Sequence, residues 1–307
     1  MMPKIYVKQS IRINVATDNV RNVITNLTDW AKWSPWLILE PGVKVTVRPD
    51  GKSFSWEGNL IGSGEMSLNS LNNQNIDFDL LFLKPFKSKA KAGFELKAED
   101  DSTIVSWIMD SSLPFFMFWM VKKMESMIAK DYERGLAMLK DFIESGEVNS
   151  KLDFSGVEKY PGCTYIGIKT SCKEDELKES MTQDFQRLRE YITSGSLQTI
   201  ETPFSIIHKM DFITNQTIYS IGIPVKNVPT NLPSGFSSGK IPGTRIYALN
   251  HTGAYKHLGN PWSAGYMLAR NKKFKLNKEI DPFEIYVSDS TKTQEKDLIT
   301  KVCFPIK

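Results

Sequence analysis

At 307 residues the chain is long for a single core, and domains commonly run to roughly 100–150 residues, so two are expected. Hydrophobic residues at 41% and charged residues at 24% are globular values. Thirty-nine basic against thirty-five acidic side chains leave a formal charge of only +4, spread along the chain, so charge lends direct nucleic-acid binding no support.

Three cysteines, Cys163, Cys172 and Cys303, are few and odd in number and lack metal-like spacing. They read as small buried hydrophobes in a reduced interior. Residues 1–10 carry no apolar core of the secretory type. The most apolar run, Leu113 to Val121, is too short for a span of about 20 residues and is expected to line a cavity or the core. A cytoplasmic protein without a membrane span is the expectation.

Alternation at Val7, Ile11, Ile13 and Val15 predicts an opening strand. Thr17 or Asp18 offers an N-cap to a helix with Val20, Val23, Ile24, Leu27 and Trp30 at helical spacing. After Trp30, Trp33 and Trp36 come six strand-like runs: 43–47, 53–56, 62–71, 76–82, 87–96 and 103–109. Turn residues such as Asp50-Gly51 and Asn72-Asn73 separate them, which predicts an antiparallel meander. A long helix follows, with Met124, Met127, Ile128, Tyr132, Leu136, Leu139 and Phe142 on one stripe. Together these predict a curved sheet plugged by a helix, a cup whose open end leaves a cavity. Trp56, Phe78, Phe94 and Trp107 are candidates to line it, or else are plain core. Glu57, Glu65, Asp77, Asp79 and Glu95 fall at alternate strand positions and read as outer-face residues.

Several stretches of this half resemble the START-like superfamily, also called SRPBCC or polyketide-cyclase-like domains. They are Trp30-Ala31-Lys32-Trp33-Ser34-Pro35-Trp36, Gly62-Ser63-Gly64, Leu83-Lys84-Pro85-Phe86, Thr103-Ile104-Val105-Ser106-Trp107 and Asp131-Tyr132-Glu133-Arg134-Gly135-Leu136. The resemblance covers about residues 3–146 and implies a helix-grip antiparallel cup. It also implies binding of lipids, polyketides or other apolar molecules, with catalysis in only some members.

Polar residues 144–151 end the helix at Gly146 and predict a domain boundary, with a linker over 147–155. Beyond it three landmarks recur in the same order about 80 residues apart. Pro161-Gly162 returns as Pro242-Gly243, Pro203-Phe204 as Pro282-Phe283, and Ile223-Pro224-Val225-Lys226 as Phe304-Pro305-Ile306-Lys307. Each copy reads strand, helix, strand, strand: 163–170, 174–192, 204–210 and 217–225, then 244–251, 262–270, 283–288 and 298–306. The expected fold class is therefore α+β, the cup followed by a pseudo-two-fold βαββ repeat over 156–307 with a cleft between its lobes. Residues 228–239, rich in Pro, Gly and Ser, read as a loop that covers the cleft mouth or simply connects.

Within the second copy Asp281-Pro282-Phe283-Glu284-Ile285-Tyr286 places a carboxylate in a strand-like run, where the first copy has Ser205. Phe283 and Ile285 share one face, and Glu284 and Tyr286 the other. The plain alternative is a solvent-facing glutamate. The segments Ile221-Gly222-Ile223-Pro224-Val225, His251-Thr252-Gly253-Ala254-Tyr255, Pro282-Phe283-Glu284-Ile285-Tyr286 and Phe304-Pro305-Ile306 resemble the GyrI-like effector-binding family. That family supplies the ligand domain of many bacterial multidrug-sensing activators and is related to haem-binding SOUL proteins. The resemblance implies that Glu284 lies deep in an aromatic-walled pocket and meets cationic or polar ligands. It also implies that in some members this glutamate and a tyrosine hydrolyse strained cyclopropane electrophiles.

A carboxylate desolvated among aromatics either meets a cation or becomes a base or nucleophile of raised pKa. Tyr219, Tyr247, Tyr255, Trp262 and Tyr286 are the candidate walls, each adding cation–π attraction of about 0.5–2 kcal/mol where desolvated. Tyr255, after Gly253, either aims its hydroxyl into the cleft or packs at a helix start. His208, His251 and His257 share no metal spacing, and neither haem nor any other cofactor is expected. The expected function is sensing or sequestering of hydrophobic or cationic compounds in the C-terminal cleft, with an apolar ligand in the N-terminal cup. The alternative is a hydrolase of strained electrophiles using Glu284 and Tyr255. A scaffold using neither pocket is the third possibility. No helix-turn-helix candidate remains once both halves are assigned, so transcription control would need a protein partner.

Overall fold

The computed structural model describes residues 2–307, and the chain divides into two compact units meeting at Asn149 and Ser150. Both are α+β. In the first unit the strands are β1 (Lys4–Ile13), β2 (Lys44–Val47), β3 (Ser53–Glu57), β4 (Ser63–Leu71), β5 (Asn75–Lys84), β6 (Ser88–Glu99) and β7 (Ser102–Ser112). They form an antiparallel sheet in the order β1-β7-β6-β5-β4-β3-β2. Helices α1 (Thr17–Thr25) and α2 (Trp30–Trp33) lie between β1 and β2, and α3 (Val121–Ser145) closes the unit. Helix α1 begins at Thr17, preceded by Ala16 without a side-chain cap, so neither Thr17 nor Asp18 is the cap.

Alternating apolar residues on the strands face the stripe of α3, and aromatic rings fill the space between. Trp107 stacks on Tyr132 (4.3 Å, 12°) and on Phe94 (4.9 Å, 27°), while Trp30 meets Phe78 edge-on at 5.6 Å. Phe78, Phe94 and Trp107 are thus packed ring against ring in the core; Trp56 is half-buried between Phe54 and Phe82. Gly135 allows this close approach of α3, since a methyl there would lie 2.6 Å from the Trp107 ring. Only part of the Leu113–Val121 run lies inward as expected: Leu113 is buried and Met117, Met120 and Val121 pack on the core, whereas Phe115, Phe116, Phe118 and Trp119 are exposed.

The second unit holds β8 (Ser150–Tyr160), β9 (Cys163–Lys173), α4 (Leu177–Ser194), β10 (Phe204–Asp211), β11 (Gln216–Pro224), β12 (Ser237–Ile241), β13 (Thr244–Gly253), α5 (Gly259–Arg270), β14 (Phe283–Tyr286) and β15 (Ile299–Ile306). Residues 150–155, expected as linker, are the first part of β8, and residues 237–239 of the expected loop open β12. The sheet order is β12-β9-β11-β10-β14-β15-β13-β8. Matching β9, β10 and β11 with β13, β14 and β15, the six central strands read the same from either end. Each copy's leading strand pairs with the other copy: β8 with β13, and β12 with β9.

The Pro161-Gly162 and Pro242-Gly243 turns pack against each other where β8 and β12 end. Gly162 has φ +85°, and a methyl on it would lie 2.5 Å from the Gly243 nitrogen. Only glycine suits both the left-handed backbone and that approach.

Candidate functional site

The middle of this sheet is the β10–β14 pair, and its register sets Ser205 directly opposite Glu284. Phe204 faces Ile285 and Ile206 faces Phe283, so the pairing is centred on the two positions the repeat relates. Strand alternation sends Phe204, Ile206, Phe283 and Ile285 to one side, where they pack with Tyr160, Tyr165 and Ile246. Glu284, Ser205 and Tyr286 go to the other side, which is covered by aromatic residues of α4 and α5 rather than by water. Glu284 is only 5% exposed.

Three neutral donors hold its carboxylate. Trp262 Nε1 of α5 donates to Oε1, while Tyr286 Oη (2.9 Å) and Ser205 Oγ (3.2 Å) donate to Oε2. Burial pushes the Glu284 carboxyl above the ordinary glutamate value, and these hydrogen bonds pull only partly the other way. Burial, then the charge of Glu284, raises the Tyr286 phenol well above its usual range, so Tyr286 remains a donor.

Around this carboxylate the rings converge from four segments. Phe185 of α4 meets Tyr286 edge-on (5.4 Å, 87°), and Tyr255 meets Tyr286 at 5.6 Å and 67°. On the α5 side Trp262 stacks with Tyr266 (6.0 Å, 28°), and both contact Phe304 of β15, at 5.4 and 5.3 Å. Arg189 of α4 lies exposed over the Phe185 ring at 5.9 Å. Tyr255 sits in the one-turn helix Tyr255–His257 after β13. Its phenol is raised first by burial, with a hydrogen bond to Ser290 opposing and the charge of Glu284 adding to the rise.

Of the residues singled out by sequence, Glu284, Trp262, Tyr286 and Tyr255 come together here. Tyr219 lies elsewhere under α4, its hydroxyl donating to Asp184 Oδ2 at 2.8 Å. Tyr247 stacks on Phe274 (4.6 Å, 19°), which in turn contacts Phe304. Sequence reasoning passed over Ser205, Phe185, Tyr266 and Phe304 as site residues. The i, i+4 spacing of Trp262 and Tyr266 on α5 was the available signal for one of them.

The histidines serve other ends. His208, at a β-bulge between Ile207 and Lys209, bridges Asp281 Oδ2 and Ser220 Oγ, each at 2.7 Å, and ties three segments together. His251 is wholly buried beside His257, with Nε2 3.0 Å from Ser150 Oγ. Desolvation, helped by His257, lowers its pKa to about 4. Among the described residues no group of three or more His, Cys, Asp or Glu is placed to hold a metal ion, and no helix is long and apolar enough to cross a membrane.

The buried imidazole has a measurable consequence. Between about pH 6.5 and 4 the unfolded chain binds a proton that folded His251 refuses, so stability falls as pH falls through that window. The full depression is worth about 3 kcal/mol. Glu284 acts in the opposite sense, because its folded value is raised. Urea unfolding of His251→Gln and the parent at pH 7 and pH 4 should show the parent losing about 3 kcal/mol more than the variant; equal losses would contradict the assignment.

Residues 157–307 match the family model of the GyrI-like small molecule binding domain, so this part of the chain carries a GyrI-like small-molecule-binding fold. No curated protein sequence matches the chain. Solved structures with some likeness include the EcmrR–DNA complex in EcmrR-RPo, with TM-score 0.45 and 14% identity over 62% of this chain and 69% of that one. The EcmrR C-terminal domain gives 0.44 and 14%, covering 52% and 98%. SAV2435 bound to tetraphenylphosphonium gives 0.39 and 12%, covering 50% and 94%.

Proposed function

We propose that the GyrI-like unit captures hydrophobic cations, with Glu284 as counter-charge and Phe185, Tyr255, Trp262, Tyr266 and Tyr286 as walls. One observation carries this: a carboxylate withdrawn from water whose three donors are all uncharged. Hydrogen bonds from neutral groups offset its desolvation only in part, and a cation in a ring of aromatic faces would supply the rest. The palindromic strand order supports two quasi-symmetric lobes about the Ser205–Glu284 pair, with the ligand between α4 and α5. Thermal melting against tetraphenylphosphonium, a rigid cation clothed in four phenyl rings, tests the proposal, and an unmoved melting temperature at saturating probe counts against it.

The N-terminal unit is proposed to be a START-like cup for an apolar compound, with the half-buried Trp56 and Phe82 at its rim. If so, a fluorescent fatty acid should bind with 1:1 stoichiometry and lose about tenfold in affinity in Trp56→Ala, roughly the 1.4 kcal/mol of a lost aromatic contact. Unchanged binding would remove Trp56 from the ligand's path.

A second reading, hydrolysis of a strained electrophile, is supported by the raised Glu284 carboxyl, suited to a base or nucleophile. Its proton donor would be Tyr255 by family resemblance, whereas the phenol bonded to Glu284 belongs to Tyr286. Turnover of an electrophilic cyclopropane that survives Tyr255→Phe but not Tyr286→Phe would reassign that role. No turnover by the parent chain would discard the reading.

A further inference from the structure

We propose that one end of the N-terminal sheet is a docking surface for an anionic lipid bilayer. The chain leaves β7 through Leu113-Pro114 into a short 3-10 segment, Phe115–Met120, kinked at Met117, before α3 begins. Burial here is inverted relative to side-chain size. Met117, Met120, Val121 and Met124 turn inward onto the core, while Phe115, Phe116, Phe118 and Trp119 point outward. Beside them the β5–β6 connection presents Phe86. These five rings are between 66 and 81% exposed. The two segments share a sheet end, since β6 starts where β7 finishes, with Lys91 opposite Asp110, and Ser111 Oγ donates to the Lys89 carbonyl oxygen at 3.4 Å.

A concentration of large aromatics in water is unfavourable unless something covers it, and the surrounding charge says what. Residues 83–91 and 113–124 contain Lys84, Lys87, Lys89, Lys91, Lys122 and Lys123, all exposed, and no acidic residue. Lys4, exposed on β1 opposite Ser112, adds a seventh cation at the same end. The nearest acids in sequence are Asp110, opposite Lys91, and Glu125, which accepts from the Tyr6 amide. Trp and Phe rings favour the headgroup–acyl boundary, and flexible lysines around them reach anionic headgroups. Each lysine held near such a surface is worth roughly fivefold in partitioning. An apolar protein partner would not call for a rim of one sign, and a second copy of this chain would bring the same positive charge against itself. The rings sit at the surface and do not cross it.

The test uses the full chain and extruded vesicles of phosphatidylcholine alone or with 30% phosphatidylglycerol. Co-sedimentation at low salt should be at least tenfold stronger with the anionic vesicles and should fall at least fivefold in 0.5 M NaCl. A blue shift of tryptophan emission on binding should be reduced in Trp119→Ser. The double substitution Phe116→Ser with Trp119→Ser should abolish co-sedimentation while leaving the melting temperature unchanged, because both side chains are exposed. Replacing Lys84, Lys87, Lys122 and Lys123 by Gln should remove the preference for anionic vesicles. Equal partitioning of the parent and the double variant overturns the proposal. So does a dimer of the parent that dissociates in the double variant without vesicle binding, which would make this face a contact between copies.

Discussion

Glu284→Gln should cost the chain half or more of its response to a hydrophobic cation while leaving its fold intact. At a hundredfold excess over Kd a ligand that binds only the folded state stabilises it by about 2.7 kcal/mol. For a unit of this size that raises the melting temperature by about 5–10 °C. The glutamine amide can reproduce the neutral contacts: its oxygen accepts from Trp262 Nε1, and its NH2 donates to the Tyr286 and Ser205 hydroxyls, which can turn to accept. Only the charge disappears. Losing a charge-assisted contact of about 1.5–3 kcal/mol weakens binding by roughly ten- to a hundredfold. The unliganded variant should also be more stable than the parent at neutral pH. With its folded value raised, ionised Glu284 costs stability above the ordinary glutamate range, and glutamine carries no such cost. A variant that kept the whole ligand-induced shift would place the cation somewhere else.

Gly265→Ala should destabilise the protein, against the usual helical preference. In an open helix interior alanine is favoured over glycine by roughly 1 kcal/mol. On α5, however, the new methyl would fall within the ring of Phe304, which is wholly buried and itself wedged against Trp262, Tyr266 and Phe274. That ring has nowhere to retreat, and overpacking of this kind costs about 1–3 kcal/mol. Moving α5 outward to relieve it would draw Trp262 Nε1 away from Glu284, so cation affinity should fall together with stability. Urea unfolding and ligand titration measure the two losses. Gly42→Ala, where a methyl meets nothing within 4 Å, is the control and should be near neutral. A stabilised Gly265→Ala would mean that α5 stands farther from β15 than described.

Much of the architecture was legible because its signals are local. Period-two alternation and the turn residues between runs marked the strands from β1 to β7, and the helical stripe marked α3. The recurring Pro-Gly and Pro-Phe landmarks marked the doubled strand-helix-strand-strand unit. The strands that escaped, β8 and β12, are those whose partners come from the other copy, and β8 alternates between half-buried and exposed residues with little apolar contrast. Hydrophobicity misplaced Phe115, Phe116, Phe118 and Trp119 because it measures the cost of exposure, not whether the neighbouring core has room left after Met117 and Met120 have filled it. At the site, Glu284 stood out through its counterpart Ser205. That the two face one another is a matter of register, which is set by tertiary pairing. The converging Phe185, Tyr266 and Phe304 come from distant segments whose meeting no local pattern encodes.

The opposition of Ser205 and Glu284 bears on how a doubled fold acquires a lopsided site. Side chains directly across an antiparallel pair stand about 5 Å apart at their Cβ atoms. Had both copies kept an acid there, the two carboxyls would contend for one proton, and one of them would stay neutral near pH 7. A hydroxyl on one strand avoids that conflict and leaves a single acid group at the centre of the sheet.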